Sequence, residues 1–422
     1  ELAHKMGMDP VKVKEMNMPI EGGPLPGYPD VPYAQSCSMD RCMARAKEMM
    51  DWDSKYPCRD MGNGKVRGVG VAMAMQGSSI AGVDVGGADI KLNEDGSYTL
   101  ALGCTDMGTG CDTVMAQIAA DCLNTPMDNI VVFSVDTDIS PYDSGSYASA
   151  TTYTTGVAVM KACEELKKKI CKLGAEMMEV DEGKVDFDGS CVFYDETLEI
   201  SDGADGNAAG HMTDAEEGYS VDMDAISSEN AQKKVSLEDI ALKSTFFNNI
   251  ELQVVKQHSS PISPPPFMVG MAEVEVDTET GSVDVLDYVA VVDCGTPINP
   301  NLARVQTEGG IAQGIGMALW EDVQYTDKGK IRNNSFMQYK IPTRQDIGNI
   351  RVDFECSYEK SGPFGAKSIG ELVIDTPCPA LAEAIYNATG VRLTELPMTP
   401  EKIAMEILKN RESTRSGTKV EE

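Results

Sequence analysis

Ala88-Asp89-Ile90-Lys91-Leu92, then Asn93-Glu94-Asp95-Gly96, then Ser97 to Leu102 is the stretch whose reading sets the fold class. Apolar and polar side chains alternate on both sides of an acidic turn that ends in glycine, the pattern of a β-hairpin. A glycine loop, Gly103 to Cys111, follows it. Asp112 to Leu123 then carries Val114, Ile118, Ala119 and Cys122 at helical spacing, and Ile130 to Val135 returns as a strand. The same order recurs downstream. Met271 to Asp277 and Ser282 to Val292 alternate around Thr278-Glu279-Thr280-Gly281, Asp293-Cys294-Gly295 forms the loop, and a helix is expected from about Val305 to Leu319. Gln117 and Gln313 fall at comparable places in the two units. The chain therefore reads as α/β (α+β), two related mixed lobes rather than a solenoid of short repeats.

Outward from these units, residues 1–60 are expected to be a helical and linker segment. A short helix lies in 1–20, an extended Pro/Gly linker runs from Glu21 to Pro32, and Arg41 to Trp52 forms a helix with Met43, Ala46 and Met50 on one face. Residues 61–200 form the first lobe, in which Val66 to Met75 is strand-like, and 233–410 the second. Between them, 201–232 has eight acidic residues and no Lys or Arg, the composition of a solvated insertion. Ser259 to Phe267 contains Pro264-Pro265-Pro266 and must be extended. Thr399 caps and Pro400 opens a last helix through Leu408, and 411–422 is a polar tail expected to fray. The chain opens at Glu1, within an expected helix, and reads as a piece of a longer or processed polypeptide.

Bulk composition excludes several classes. The 422 residues carry 36 basic and 67 acidic side chains, a net charge of −31, which disfavours nucleic acid and anionic membrane as partners. No apolar run reaches the ~20 residues of a membrane span. Twelve cysteines occur without any CxxC, so neither a zinc nor an iron–sulfur site is indicated, and most read as small buried thiols of a reducing, cytoplasmic compartment. With three histidines, a histidine-ligated metal is disfavoured.

Chemistry concentrates in four glycine-punctuated stretches: Thr105 to Gly110, Gly145 to Thr152, Glu308 to Gly316, and Gly365-Ala366-Lys367-Ser368-Ile369-Gly370-Glu371. The first two lead into helices, where free backbone N–H groups and Ser or Thr hydroxyls can cradle a phosphate or a pterin without a cationic side chain. Neither GxGxxG nor a Walker lysine is present. In the last stretch a single carboxylate, Glu371, stands between a glycine loop and a helix whose Ala380, Leu381, Ala384, Ile385 and Ala388 form an apolar face ended by Gly390. Burial there would favour a proton-accepting general base. An acid at a helix entry is also what the macrodipole favours, so on spacing alone a structural role competes with that of a base.

Taken together and in this order, the motifs resemble the molybdenum-binding portion of the xanthine dehydrogenase/aldehyde oxidase family. Val292-Asp293-Cys294-Gly295 with Ile298-Asn299-Pro300, the Glu308 to Gly316 run, Tyr339-Lys340-Ile341-Pro342-Thr343 and Leu396 to Glu401 carry the likeness, which extends over about residues 1–408. It covers the second half of that family's molybdenum region. The resemblance implies that Glu371 is the active-site base and that Ala148, Ser149, Thr151 and Thr152 line the metal and the pterin phosphate. It further implies that Gly108, Thr109 and Gly110 form a cofactor loop and that Gln313 bonds the pterin. The metal would be held by the pterin dithiolene and by no side chain. Thr109 stands where the family often has Gln, and Ala150 where it often has Arg, so two polar side chains near the pterin tail are shortened.

The implied activity is hydroxylation of an electron-poor carbon with water-derived oxygen, on a purine such as xanthine or hypoxanthine. A nicotinate-type N-heterocycle dehydrogenase, an aldehyde oxidoreductase and a non-enzymatic molybdopterin storage or assembly protein are the alternatives. The implied cofactor is molybdenum-molybdopterin, in its plain or cytosine dinucleotide form, with 2Fe-2S and FAD on partner chains. The implied partners are the first half of the molybdenum domain, an iron–sulfur subunit and a FAD subunit.

Overall fold

The computed structural model describes residues 1–25, 27, 28, 30–197, 233–248 and 250–416, with side chains described through 412. The acidic stretch 201–232 and the end of the polar tail lie outside the described residues.

Twelve strands are described: β1 (Cys58–Gly62), β2 (Lys65–Met75), β3 (Gly86–Leu92), β4 (Tyr98–Leu102), β5 (Ile130–Ser134), β6 (Val185–Phe187), β7 (Cys191–Tyr194), β8 (Lys234–Ser236), β9 (Gln253–His258), β10 (Phe267–Asp277), β11 (Val283–Asp293) and β12 (Asn349–Phe354). The helices are α1 (Leu2–Met6), α2 (Pro10–Glu15), α3 (Met39–Met50), α4 (Trp52–Lys55), α5 (Cys111–Leu123), α6 (Gly156–Met178), α7 (Leu237–Leu242), α8 (Pro300–Leu319), α9 (Pro377–Thr389) and α10 (Pro400–Ser416).

Both expected hairpins form: β3 pairs antiparallel with β4, and β10 with β11. Each hairpin leads through its loop into a helix, α5 or α8. The strand after that helix lies parallel to the hairpin's second strand, β5 on β4 and β12 on β11. The repeat seen in the sequence is thus a repeat of topology. Its two sheets run β5-β4-β3-β9 and β1-β2-β10-β11-β12, and a small third sheet runs β6-β7-β8.

The sheets do not respect a division between 61–200 and 233–410. β2 comes from the first stretch but pairs along its length with β10 in the second sheet, and β9 comes from the second but completes the first sheet beside β3. The composition of β2 explains its place. Val69, Val71 and Ala72 are buried, so this strand needs cover on both faces. One face receives α9, and closely: a Cβ on Gly70 would lie 2.1 Å from the Ala380 carbonyl oxygen, and one on Gly68 2.2 Å from that of Ala384. The alanine face of α9 seats on these glycines, and Gly390, at φ +71°, ends the helix.

The other face of the second sheet is covered by the N-terminal segment. Met39, Met43, Ala46 and Met50 of α3, with Trp52, form an apolar layer with Val69, Phe267, Val269 and Val289. Residues 21–32 are not a free linker. Leu25 and Val31 are buried in that same layer, which takes their apolar surface out of water, and Pro24 bridges Tyr33. The N-terminal 20 residues form two short helices, the second opened by Pro10 behind an Asp9 cap. At the other end α10 runs on to Ser416, past the expected stop at Leu408. Among the described residues no helix is long and apolar enough to cross a membrane.

Candidate active site

The facing ends of the two repeats enclose a cleft of about 250 Å³. Its walls bring together Thr109, Ser149, Thr151, Thr152 and Glu371, with Asn299 and Gln306 from the α8 side. A second hollow opens beside it, lined by Gln76, Gly108, Gln306, Gln313 and Glu371. Of the expected site residues, seven therefore line these two spaces, and Gly110 and Ala148 stand behind them as backbone supports.

The Thr105–Gly110 loop is built around Asp106. Its carboxylate accepts from the backbone N–H groups of Gly108 (2.8 Å), Gly110 (3.1 Å) and Asp112 (3.4 Å), tying the loop to the start of α5. Burial pushes the Asp106 carboxyl upward, but the N–H groups of Gly108, Gly110, Asp112 and Thr109 outweigh it and hold it below the ordinary value. Asp106, Cys111 and Asp112 place possible ligand atoms within 4.8 Å of one another. Asp106 already serves as the loop's cap. Gly110 needs its left-handed φ of +78°, and a Cβ there would meet Leu302 at 2.6 Å.

The 145–152 loop is strained where it matters. Ala148 (φ +49°) and Ser149 (φ +55°) are both left-handed without being glycine, a conformation that persists only where its surroundings over-determine it. The Ala148 carbonyl accepts from the Ser79 N–H at 3.0 Å. Ser149 Oγ accepts the Glu371 N–H at 3.0 Å and donates to Glu371 Oε2 at 3.1 Å. Thr151 and Thr152 open a π-turn that runs into α6.

Glu371 is exposed in this chain, so the expected dry pocket is not formed around it. The reason is local: the glycine loop that carries it lies on the rim where the two hollows meet, and the apolar face behind it belongs to Leu372 and Val373, which are buried. Two amides fix it from positions that sequence reasoning missed. Gln76 Nε2 donates to Glu371 Oε2 at 2.6 Å, and Gln306 Nε2 donates to the Gly370 carbonyl at 3.1 Å. Gln306 lies seven residues, two helical turns, before Gln313, a spacing that could have revealed it. Gln76 meets Glu371 across 295 residues of sequence, and nothing local announces it. Gln117, the counterpart of Gln313 in the first repeat, turns inward and accepts from Asn299 Nδ2 at 3.0 Å. Near Glu371, burial first and the Glu371 charge second raise the proton affinity of Asp375.

Beneath the loop lies a buried ion pair. Lys367 Nζ is 3.0 Å from Asp293 Oδ1, and neither side chain is exposed. Cys294 also borders the cleft, and burial pushes its thiol up to about 12, so it stays protonated and is a poor metal ligand.

What the site offers a bound group is a set of neutral donors and acceptors beside two carboxylates, Glu371 and Asp375. Amides, hydroxyls and backbone N–H groups converge, and the one ammonium in the wall, Lys367, is already paired. Gly309 is bare: a Cβ there would meet nothing within 4 Å, so the wall of the second hollow is open at that point. Gln76 Oε1 is buried without a partner. This donor set fits a pterin edge and a phosphate.

The Molybdopterin cofactor-binding domain family matches residues 45–348. A protein of Escherichia coli K12 named "Probable hypoxanthine oxidase XdhD" is 32% identical over 419 residues, covering 96% of this chain and 39% of that protein. The aldehyde oxidoreductase molybdenum-binding subunit PaoC of the same strain is 28% identical, with 96% and 49% covered. The chain thus spans between about two fifths and a half of the length of these relatives. Quinoline 2-oxidoreductase from Pseudomonas putida 86 superposes with a TM-score of 0.79 at 21% identity, covering 96% of this chain and 50% of that one. Reconstituted CO dehydrogenase from Oligotropha carboxidovorans does so with 0.78 at 21%, covering 97% and 50%. At such identity these two likenesses speak to the fold alone.

Proposed function

The chain belongs to the molybdopterin cofactor-binding domain family, and from that premise we propose that it is the molybdenum-cofactor-binding part of a hydroxylase acting on an electron-poor carbon of a purine. One observation carries the reading: a carboxylate, Glu371, is held by Ser149 and Gln76 where two hollows meet whose walls are made mainly of neutral side chains. The name of the Escherichia coli relative at 32% identity supports hypoxanthine as the first substrate to try.

The residues divide the work. Gln313 and the open backbone at Gly309 would receive the pterin. The N–H groups at the start of the turn into α6, with the hydroxyls of Thr109, Thr151 and Thr152, would take its phosphate. When bound, the molybdenum cofactor supplies the two-electron sink and the water-derived oxygen that the substrate carbon receives. The net change, C–H plus water giving C–OH, two protons and two electrons, leaves protons to be collected. Glu371 accepts one of them, and its position beside Ser149 orients it. Electrons would leave through 2Fe-2S and FAD groups on partner chains, and the remaining half of the molybdenum domain would close the open side of Glu371. That closure would strengthen the electrostatics at the carboxylate. The pterin, in its plain or its cytosine dinucleotide form, and a cytoplasmic location complete the proposal.

The test is to co-express the chain with the remaining half and the partner subunits of its own source. Hypoxanthine, xanthine, nicotinate and an aldehyde are then offered with an artificial electron acceptor in ¹⁸O-labelled water. Labelled oxygen in a hydroxylated purine is the expected result. Turnover confined to the aldehyde or to nicotinate would overturn the purine assignment, and bound cofactor with no turnover of any of the four would favour storage.

A further inference from the structure

Glu371 is gripped at one oxygen. Oε2 accepts from Gln76 Nε2 at 2.6 Å and from Ser149 Oγ at 3.1 Å, while Oε1 has no hydrogen bond among the described residues. An ionised carboxylate can only accept, so Gln76 must present its N–H₂ to it. Its own carbonyl oxygen is then left buried and unpartnered, a disfavoured state for an amide placed only to fill space.

The distance between Gln76 and Glu371 is set by buried structure. Gln76 directly follows β2. The next two residues are stitched to the Glu371 loop: Ser368 N–H donates to Ser78 Oγ at 3.0 Å, and Ser368 Oγ donates to the Gly77 carbonyl at 3.3 Å. Ser78 and Ser368 are 0% and 2% exposed, so this junction is shielded from water. Ser149 reaches the same carboxylate from a left-handed backbone. Three separate loops therefore converge on one oxygen.

We propose that Gln76 is a positioning residue for Glu371: with Ser149 it immobilises Oε2 and thereby presents Oε1 as the proton-accepting atom. The proposal rests on Glu371 being the base. A general base held a fraction of an ångström out of line loses rate in the chemical step while leaving substrate binding alone. Gln76→Leu, which keeps the bulk and removes the donor, should lower kcat roughly 10- to 100-fold, with KM and molybdenum content nearly unchanged.

Two readouts in the assembled enzyme and one in the chain decide it. The kcat and KM of Gln76→Leu are compared with wild type and with Glu371→Gln at matched molybdenum content. The carboxylate stretching band of Glu371, isolated as the infrared difference between the protein and its Glu371→Gln variant, is recorded with and without the Gln76 change. That band should shift when the donor is lost, and because it requires no cofactor it also reports on a variant that fails to load. Gln76→Met serves as a second substitution should the leucine variant not fold. An unmoved band and a kcat within about twofold of wild type would overturn the positioning role, even with Glu371→Gln inactive. A raised KM at unchanged kcat would overturn it too, and would make Gln76 a substrate contact. Full turnover by Glu371→Gln would instead overturn the base itself.

Discussion

Replacing Lys367 by methionine should destabilise the second sheet's outer layer and loosen the loop that carries Glu371. The ammonium is fully buried, 3.0 Å from Asp293 Oδ1 and 3.1 Å from the Ser36 carbonyl, with its charge 4.9 Å from the centre of the Phe267 ring. Asp293 also accepts from the Ser38 N–H at 2.8 Å, the Ser357 hydroxyl at 2.7 Å and the Gly295 N–H at 3.0 Å. In Lys367→Met those three neutral donors remain, but a buried carboxylate has lost its counter-ion. Removing one partner of such a pair costs about 3–5 kcal/mol, whereas replacing both by neutral groups costs far less. Lys367→Met combined with Asp293→Asn should therefore lose much less stability than the sum of the two single changes. Guanidinium unfolding followed through Trp52, which is 1% exposed in the same apolar layer as Phe267, measures all three variants. A loss below about 1 kcal/mol for Lys367→Met, or strict additivity in the double variant, would refute the reasoning.

Glu383 gives a test of pH dependence. Burial, opposed by the Val71 N–H, raises its proton affinity, while burial, the N-terminus and Arg392 lower that of His4. The 3.7 Å approach of the two is then no ion pair at neutral pH. A carboxyl raised on folding binds protons more tightly when folded, so its contribution to stability falls as pH rises through the folded value. Glu383→Gln should raise the unfolding midpoint at pH 7, and the gain should vanish below about pH 4.5, the ordinary value of the group. Gly309→Val should leave folding intact while lowering pterin and molybdenum content at least severalfold, because its side chain would enter the open hollow; retention of full cofactor would remove Gly309 from the cradle. Exchange of 201–232 for a short Gly/Ser linker should change stability by less than about 0.5 kcal/mol, and hydrogen-exchange protection there equal to that of the neighbouring strands would contradict it.

The hairpins, both glycine loops and the helices after them were legible in the sequence because each depends on residues close in the chain. Turn chemistry fixes a hairpin and spacing fixes a helical face within one stretch. The exchange of β2 and β9 between the sheets was not legible, since strand pairing over such separations leaves no local mark. Gln76 escaped for the same reason. The glycines of β2 did carry a signal: Gly68 and Gly70 at alternate positions mark one face left bare for a close neighbour, and α9 supplies it. The expected burial of Glu371 failed because an apolar helix behind a carboxylate says nothing about what stands in front of it.

Glu371→Gln in the assembled enzyme, compared with wild type at equal molybdenum and pterin content, is the most direct test of the proposed role. A proton-accepting base at this position predicts intact folding, undiminished cofactor and a rate of substrate-dependent reduction at least ~10²-fold lower. Retention of more than about a tenth of the wild-type rate at full loading would contradict it.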